Sequence, residues 1–238
     1  MNNHADELKH DPALTTILEK EELASQPTMS RLNQKLDLDT MKEFQLVNQT
    51  MIERYYELEP PKVLVLDIDS SHSPTYGDQH GSCFNAHYGE DGYHPLFVFD
   101  GTTGDCIKAS LRSGNVYTSR QVVSFIGPVL KRFRKKYPEV KIIIRADSGF
   151  ATPELFKLCE TLGADYVIRL KSNKRLQRTA DAFVDEIAAE VDVYEGHHVF
   201  YRECLYRAGS WDQEQKVVLK LEKPKTNKVL IVKYFLCL

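Results

Sequence analysis

The sequence predicts an α/β protein, a mixed β-sheet flanked by helices, with a helical N-terminal segment and the start of an all-β insertion at its other end. Three observations carry that prediction. Two apolar runs, Val63-Leu64-Val65-Leu66 and Ile142-Ile143-Ile144, are short and nearly continuous, and they finish in acids at Asp67-Ile68-Asp69 and at Asp147. Such runs belong to strands of a covered sheet. A turn with two glycines, Gly101-Thr102-Thr103-Gly104-Asp105, joins two further strand-like runs as an antiparallel hairpin. The pattern then goes helix, strand, helix, strand, which is the order of a parallel βαβ arrangement. The division that follows is a helical segment over 1–60, a core over 61–190 and the beginning of the insertion over 191–238.

Composition narrows the class. With 238 residues, 42% of them hydrophobic, the chain has enough apolar material for a substantial core. No stretch approaches the roughly 20 apolar residues that cross a bilayer, and Met1-Asn2-Asn3-His4-Ala5-Asp6-Glu7 lacks the basic and apolar regions of a secretory leader. The five cysteines are scattered without a C-x-x-C pair, so neither a zinc ribbon nor a disulfide framework is indicated. A soluble protein of the reducing cytoplasm is expected. The net charge of -3 hides an asymmetry: residues 1–60 carry 12 acids against 6 bases, and the remainder 25 bases against 22 acids. Bases bunch at Lys131-Arg132-Phe133-Arg134-Lys135-Lys136 and over 169–178. Charge alone leaves two readings of these bunches open, a phosphate-binding stripe and a solvated helix face.

Taken in order, Asp11-Pro12 opens a helix expected to reach about Leu23, with a break at Ser25-Gln26-Pro27-Thr28. A second helix begins near Asp39-Thr40 and stops at Pro60-Pro61. The first strand covers 62–69. Residues 70–92 are polar and rich in His and Gly, with at most a short strand around 84–88. The hairpin pairs 93–100 with 106–111. Ser119 caps a helix over about 120–136 whose apolar stripe is interrupted by Pro128, which predicts a kink or a late start. The second aspartate strand spans 140–147, and Thr152-Pro153-Glu154 opens a helix closed by Gly163. A strand over 165–170, a helix over about 176–190 and three strands over 199–206, 215–222 and 228–236 complete the chain.

The acids are the chemical signal. An unpaired carboxylate is costly inside a core, whereas at the end of a strand it reaches the sheet's carboxyl edge, where open α/β architectures bind ligands. A period of two puts Asp67 and Asp69 on one face, and Asp69 is the one that meets the loop. Asp69 and Asp147 are therefore read as two ligands of one divalent-metal site.

Further motifs extend that reading. The order Asp67-Ile68-Asp69-Ser70-Ser71, His87-Tyr88-Gly89, Gly92-Tyr93-His94-Pro95-Leu96, Phe99-Asp100-Gly101-Thr102-Thr103-Gly104, Leu111-Arg112-Ser113-Gly114-Asn115-Val116 and Arg145-Ala146-Asp147-Ser148-Gly149-Phe150-Ala151 with Pro153-Glu154-Leu155 resembles DDE transposases of bacterial insertion sequences, specifically the insertion-sequence 1380 family. The resemblance runs from about residue 61 to about 235. It implies a ribonuclease H-like core in which two aspartates and a glutamate hold two Mg2+ or Mn2+ ions for in-line attack on DNA phosphodiesters. By this resemblance Asp69 and Asp147 are the first two acids, and Asp67 is a supporting or structural one. Lys171, Lys174 and Arg175, just after a core strand, are the candidates for phosphate contacts. The implied partner is double-stranded DNA, both the element's ends and its target, and a homodimer is admitted. Relatives carry the glutamate after a β insertion, four residues beyond an Arg that itself follows a Tyr by three. Here Tyr166 and Arg169 are followed by Asn173, and Tyr117 and Arg120 by Ser124. Glu203, in a predicted strand, is a poor substitute. The expectation is a transposase fragment that stops before its third acid and has little or no activity of its own.

Other readings compete. His72, His80, His87 and His94 crowd the loop after Asp69 but follow no ligand spacing. The Asp67-x-Asp69 pair also suits a phosphatase with an aspartate nucleophile, although such an enzyme needs a helix soon after that strand, and strands follow here. A non-catalytic remnant that binds DNA or dimerises is the remaining alternative.

Overall fold

The structure is a computed structural model; it describes residues 3–191, 196–209, 211–223 and 231–237, with backbone alone for 3, 188–191 and 231–237. The chain divides into two compact units, 1–55 and 56–238.

The first unit is helical, as its sequence predicts, but cut differently. It holds α1 (Asn3–Leu8), α2 (Pro12–Ile17), α3 (Gln26–Lys35) and most of α4 (Leu38–Leu58). Asp11 caps α2 by accepting from the Leu14 amide at 2.8 Å. That helix stops at Ile17 instead of reaching Leu23, and the expected break at 25–28 is the opening of α3. Pro27 sits in its first turn, where a missing N–H leaves no hydrogen bond unmade. Asp6 accepts from the Gln26 amide at 2.9 Å and Lys9 pairs with Glu22 at 2.9 Å, closing the intervening loop.

The second unit is built on β1 (Val63–Ser70), β5 (Leu96–Asp100), β6 (Cys106–Ser110), β7 (Lys141–Ala146) and β8 (Asp165–Leu170), with a small separate sheet of β2 (Ser73–Pro74), β3 (Cys83–Asn85) and β4 (Glu90–Tyr93). The main sheet runs β6-β5-β1-β7-β8 and continues through β11 (Ile231–Cys237), β10 (Gln215–Lys223) and β9 (His198–Tyr206). β6, β5 and β1 are antiparallel neighbours, while β1, β7 and β8 are parallel. The helices between the parallel strands are α5 (Val122–Lys136) and α6 (Pro153–Thr161), and α7 (Lys174–Val191) follows β8. The result is a mixed sheet with helices connecting its parallel strands.

Burial explains the strand sequences and amends one expectation. Leu64, Leu66 and Ile68 of β1, Ile142 and Ile144 of β7, and Tyr166 and Ile168 of β8 are buried on one face. Phe156 of α6 stacks on Tyr166 at 5.2 Å, so that face lies beneath helices. The alternate residues Val65, Asp67, Asp69, Ile143, Arg145, Val167 and Arg169 are half-buried or exposed. β1 and β7 are thus covered fully on one face only, and this is what lets their charged residues share strands with an apolar core.

Local chemistry fixes the ends of the elements. α5 starts at Val122, two residues late, with Gln121 left-handed before it (φ 65°) and Pro128 inside. The basic bunch at its end is largely consumed by structure. Arg134 donates to the carbonyls of Pro138, Val140, Leu162 and Gly163, and Lys136 pairs with Glu57 at 3.0 Å. Asp100 closes the β5–β6 hairpin by accepting from the Thr102 amide at 2.8 Å, and its other oxygen takes the buried Tyr56 hydroxyl at 2.5 Å. Trp211 meets Phe156 and Tyr206 edge-on at 5.6 and 5.4 Å, which ties the β9–β10 connection to α6.

Candidate active site at the carboxyl edge of the sheet

Register alone brings the two strand-end acids together. In the parallel pairing of β1 and β7, Asp67 lies opposite Arg145 and Ile68 opposite Ala146. One step further on each strand are Asp69 and Asp147, on neighbouring strands about 4.8 Å apart. The preceding pair confirms the shared face: Arg145 clasps Asp67 through two hydrogen bonds, from Nε to Oδ1 at 2.6 Å and from Nη2 to Oδ2. Residues two further along, Asp69 and Asp147, rise on that same face.

The three aspartates are consequently unlike. Asp67 has its charge matched by Arg145, whose own guanidinium is held above its ordinary range by that hydrogen bond. A Cβ at Gly101 would come within 2.9 Å of Asp67 Oδ2, so the hairpin glycine leaves room for the pair. Asp69 and Asp147 each use one oxygen on backbone, Oδ1 accepting from the Ser70 amide at 2.8 Å and from the Gly149 amide at 2.8 Å respectively. Among the described residues neither has an ion-pair partner.

Asp147 also caps the single 3₁₀ turn Ser148–Phe150, which swings the chain off the sheet edge. Gly149 is required there, because a Cβ would stand 2.7 Å from Thr118 Cγ2. Thr118 belongs to the loop 111–120, which with the small sheet walls a cavity of about 550 Å³ over Asp147. That wall is fastened from within. Arg112, buried, donates to the carbonyls of His94 (2.9 Å), Thr118 (3.1 Å) and Arg120 (2.8 Å). Asn85 donates to the Gly114 carbonyl at 2.7 Å, and a Cβ at Gly114 would fall 2.2 Å from the Cys83 carbonyl oxygen. His94, also buried, holds the Val116 carbonyl through Nδ1 at 2.8 Å. The carbonyl can only accept, so Nδ1 is the donor in this bond.

Sequence reasoning missed this wall. The motif Leu111-Arg112-Ser113-Gly114-Asn115 is visible in the chain, but its purpose lies in carbonyls from other segments. Three of the histidines surround the Tyr88 ring: His72 stacks on it at 4.4 Å with Nε2 3.1 Å from Glu90, His87 meets it edge-on at 4.9 Å, and His94, 6.4 Å away, holds the Val116 carbonyl. Among the described residues no three His, Cys, Asp or Glu side chains form a metal-holding group. Glu203 lies in β9, five strands from β1 and hence roughly 24 Å away, where it faces Lys216 at 3.4 Å. Of the basic candidates, Lys171 lines the cavity. Lys174 is exposed at the start of α7, and Arg175 reaches the Arg207 carbonyl at 3.1 Å and lies over the Tyr206 ring.

Two carboxylates on adjacent strand ends, each with one oxygen on a backbone amide and no ion-pair partner among the described residues, suit a hard divalent ion. They supply part of its coordination shell.

Comparison with known proteins gives a family for the chain. A family model described as transposase DDE domain, group 1, matches residues 1–236. Among curated proteins none matches. Of solved structures, piggyBac transposase in a synaptic complex with hairpin DNA is 19% identical over 73% of this chain and 33% of that one, with a TM-score of 0.41. The catalytic domain of Mos1 mariner transposase is 10% identical over 66% of this chain and 81% of that one (TM-score 0.33), and the Mos1 paired-end complex with Mn is 12% identical over 80% and 68% (TM-score 0.31). The chain thus spans about a third of the piggyBac chain. No helix among the described residues is long and apolar enough to cross a membrane.

Proposed function

The chain belongs to the transposase DDE domain group 1 family, and we propose that it acts in DNA transposition as a two-metal domain of the insertion-sequence 1380 type. In this reading Asp69 and Asp147 hold the ions and double-stranded DNA, the element's ends and its target, is the substrate. The observation that supports the reading is the parallel register of β1 and β7, along which Asp69 and Asp147 each follow the Asp67–Arg145 pair by two residues. Bound Mg2+ or Mn2+ would activate a water or a 3′-hydroxyl and stabilise the leaving oxygen. The chain's own residues do the rest. The Ser70 and Gly149 amides orient the two carboxylates, and Arg145 neutralises Asp67, keeping its negative charge out of the ion site.

DNA contact is assigned to Lys171 and Lys174, with Arg175 divided between phosphate and the Arg207 carbonyl. The first turn of α7 carries bases and no acid. That arrangement opposes the helix dipole and is relieved by an anion such as a phosphate. A homodimer serving both ends belongs to the same reading. The Arg145 clasp argues against Asp67 as a phosphatase nucleophile. With Glu203 five strands from β1, the 238-residue chain is expected to bind DNA and ions but to cut poorly, and a non-catalytic DNA-binding form is the alternative reading.

The test is Mn2+ titration followed by electron paramagnetic resonance. Asp69→Asn and Asp147→Asn should each weaken binding at least tenfold, with Asp67→Asn within about twofold of wild type. Manganese affinity indifferent to both strand-end substitutions would overturn the metal site. In parallel, efficient cleavage of a duplex carrying the element's ends by this chain, abolished by Asp147→Asn, would show that another acid completes the site.

A further inference from the structure

Resting on that reading, we propose that Thr118 is a positioning residue for the ion-holding carboxylate of Asp147 and acts on it through Gly149. The two acids are aimed by different means. Asp69 closes on the amide of Ser70, its neighbour within β1, a strand paired on both sides. Asp147 lies just past Ala146, the last residue of β7, and takes its direction from the Gly149 amide in the 3₁₀ turn. Its aim is only as good as the placement of that turn. The end of the turn is anchored by Phe150, which is fully buried. Gly149 itself lies against Thr118: a Cβ there would come within 2.7 Å of Thr118 Cγ2, 3.0 Å of Thr118 Cβ and 3.1 Å of Asp147 Oδ1. One glycine thus touches both the loop and the carboxylate.

Thr118 is held firmly enough to serve as that support. The carbonyls of Val116, Thr118 and Arg120 are each taken by a side chain, the first by His94 Nδ1 at 2.8 Å and the others by Arg112 Nη1 at 3.1 and 2.8 Å. Both side chains are buried, and Arg112 is braced in turn on the His94 carbonyl through Nε at 2.9 Å. Alternate peptide units of the loop are tied from within, and the Thr118 methyl meets the turn at their centre. A carboxylate binds a cation best when its neighbours already keep it in the bound geometry, and loss of such support typically costs about 10–100-fold in affinity. The support is steric and runs through Cγ2, so it can be tested apart from the Thr118 hydroxyl.

The experiment is Mn2+ titration of the full chain by electron paramagnetic resonance, with urea unfolding of the same variants alongside. Gly149→Ala should weaken Mn2+ binding about tenfold or more. Adding Thr118→Gly, which removes both Thr118 atoms from the clash, should bring affinity back to within about threefold of wild type. A second glycine in the loop lowers stability, so recovered Mn2+ affinity in a less stable protein cannot be a repair of the fold. Thr118→Ser, which loses Cγ2 and keeps the hydroxyl, should weaken Mn2+ about fivefold, whereas Thr118→Val, which keeps a methyl at that place, should stay within about twofold. Wild-type affinity in Gly149→Ala, a defect that Thr118→Gly leaves unrelieved, or equal affinities for the Ser and Val variants would each overturn the role of Thr118, and the metal site would stand as long as Asp147→Asn still weakens binding. Should Gly149→Ala not fold, the Ser and Val pair decides alone. Mn2+ affinity indifferent to Asp147→Asn would sink the metal site and the positioning role together.

Discussion

Two pairs of residues on the same two strands, separated by only two positions, differ in everything but geometry. Asp67 and Arg145 face each other and cancel; Asp69 and Asp147, two residues further on, have no ion-pair partner among the described residues. The first pair forms a neutral collar within the ladder, and the second an open edge where the ladder ends. Charge in a sheet is tolerable wherever register supplies its counterpart. Where register supplies a like charge instead, the site needs something from outside. The same division recurs nearby: Arg112 and Arg134 donate to carbonyls within the fold, whereas Lys171 and Lys174 have no such partner among the described residues.

That division can be broken by stability measurements. The largest effect is expected at Arg112, whose replacement by Met strands three carbonyls in a buried wall. Urea unfolding should show a loss of about 2–4 kcal/mol, against less than about 0.5 kcal/mol for Asp147→Asn. A destabilised Asp147→Asn would mean that the edge holds the fold together and that the contrast is false. Tyr56→Phe should cost about 1–2 kcal/mol, because buried Asp100 loses a donor. The collar itself should contribute less: Asp67→Asn, removing a partly exposed pair, is expected to cost about 1 kcal/mol or less, with the loss shrinking in high salt.

The smallest effect concerns alkaline pH. Burial pushes the Cys159 thiol up to about 12, and burial with neighbouring carboxylates pushes the Tyr56 and Tyr166 hydroxyls upward as well. Groups whose folded pKa exceeds the unfolded value stabilise fully below the unfolded value and cease to do so as pH rises towards the folded one. Stability should therefore fall between about pH 9 and 12, and Cys159→Ala should soften that slope. An unchanged slope would show that the thiol is not the titrating group.

The sheet was legible because β-branched runs and strand-end acids are local signals. Leu64, Leu66, Ile142 and Ile144 declare a core, and Asp69 and Asp147 stand where apolar pattern stops. Asp67 is the instructive case. Its parity with Asp69 is readable, but its partner is 78 residues away and known only once β1 and β7 are set in register. The cavity wall was unreadable for the same reason. The segment 70–92 has no periodicity, and what organises it, Tyr88 on His72 or Arg112 on three carbonyls, is contact between distant residues. Pro27 shows a local ambiguity, since proline both ends helices and begins them, and only the capping geometry decides. The Lys131–Lys136 bunch misleads through composition: its charge is real, yet Arg134 and Lys136 are already engaged.

The place of β1 and β7 inside an eight-stranded sheet has a kinetic corollary. Both strands are hydrogen-bonded on each side, so the amide protons of Ile68 and Ala146 should exchange with deuterium only in near-global opening events. Those of β2, β3 and β4, in a three-stranded patch of short strands, should exchange through local fluctuation. The floor on which the acids stand and the wall that faces them therefore live on different clocks.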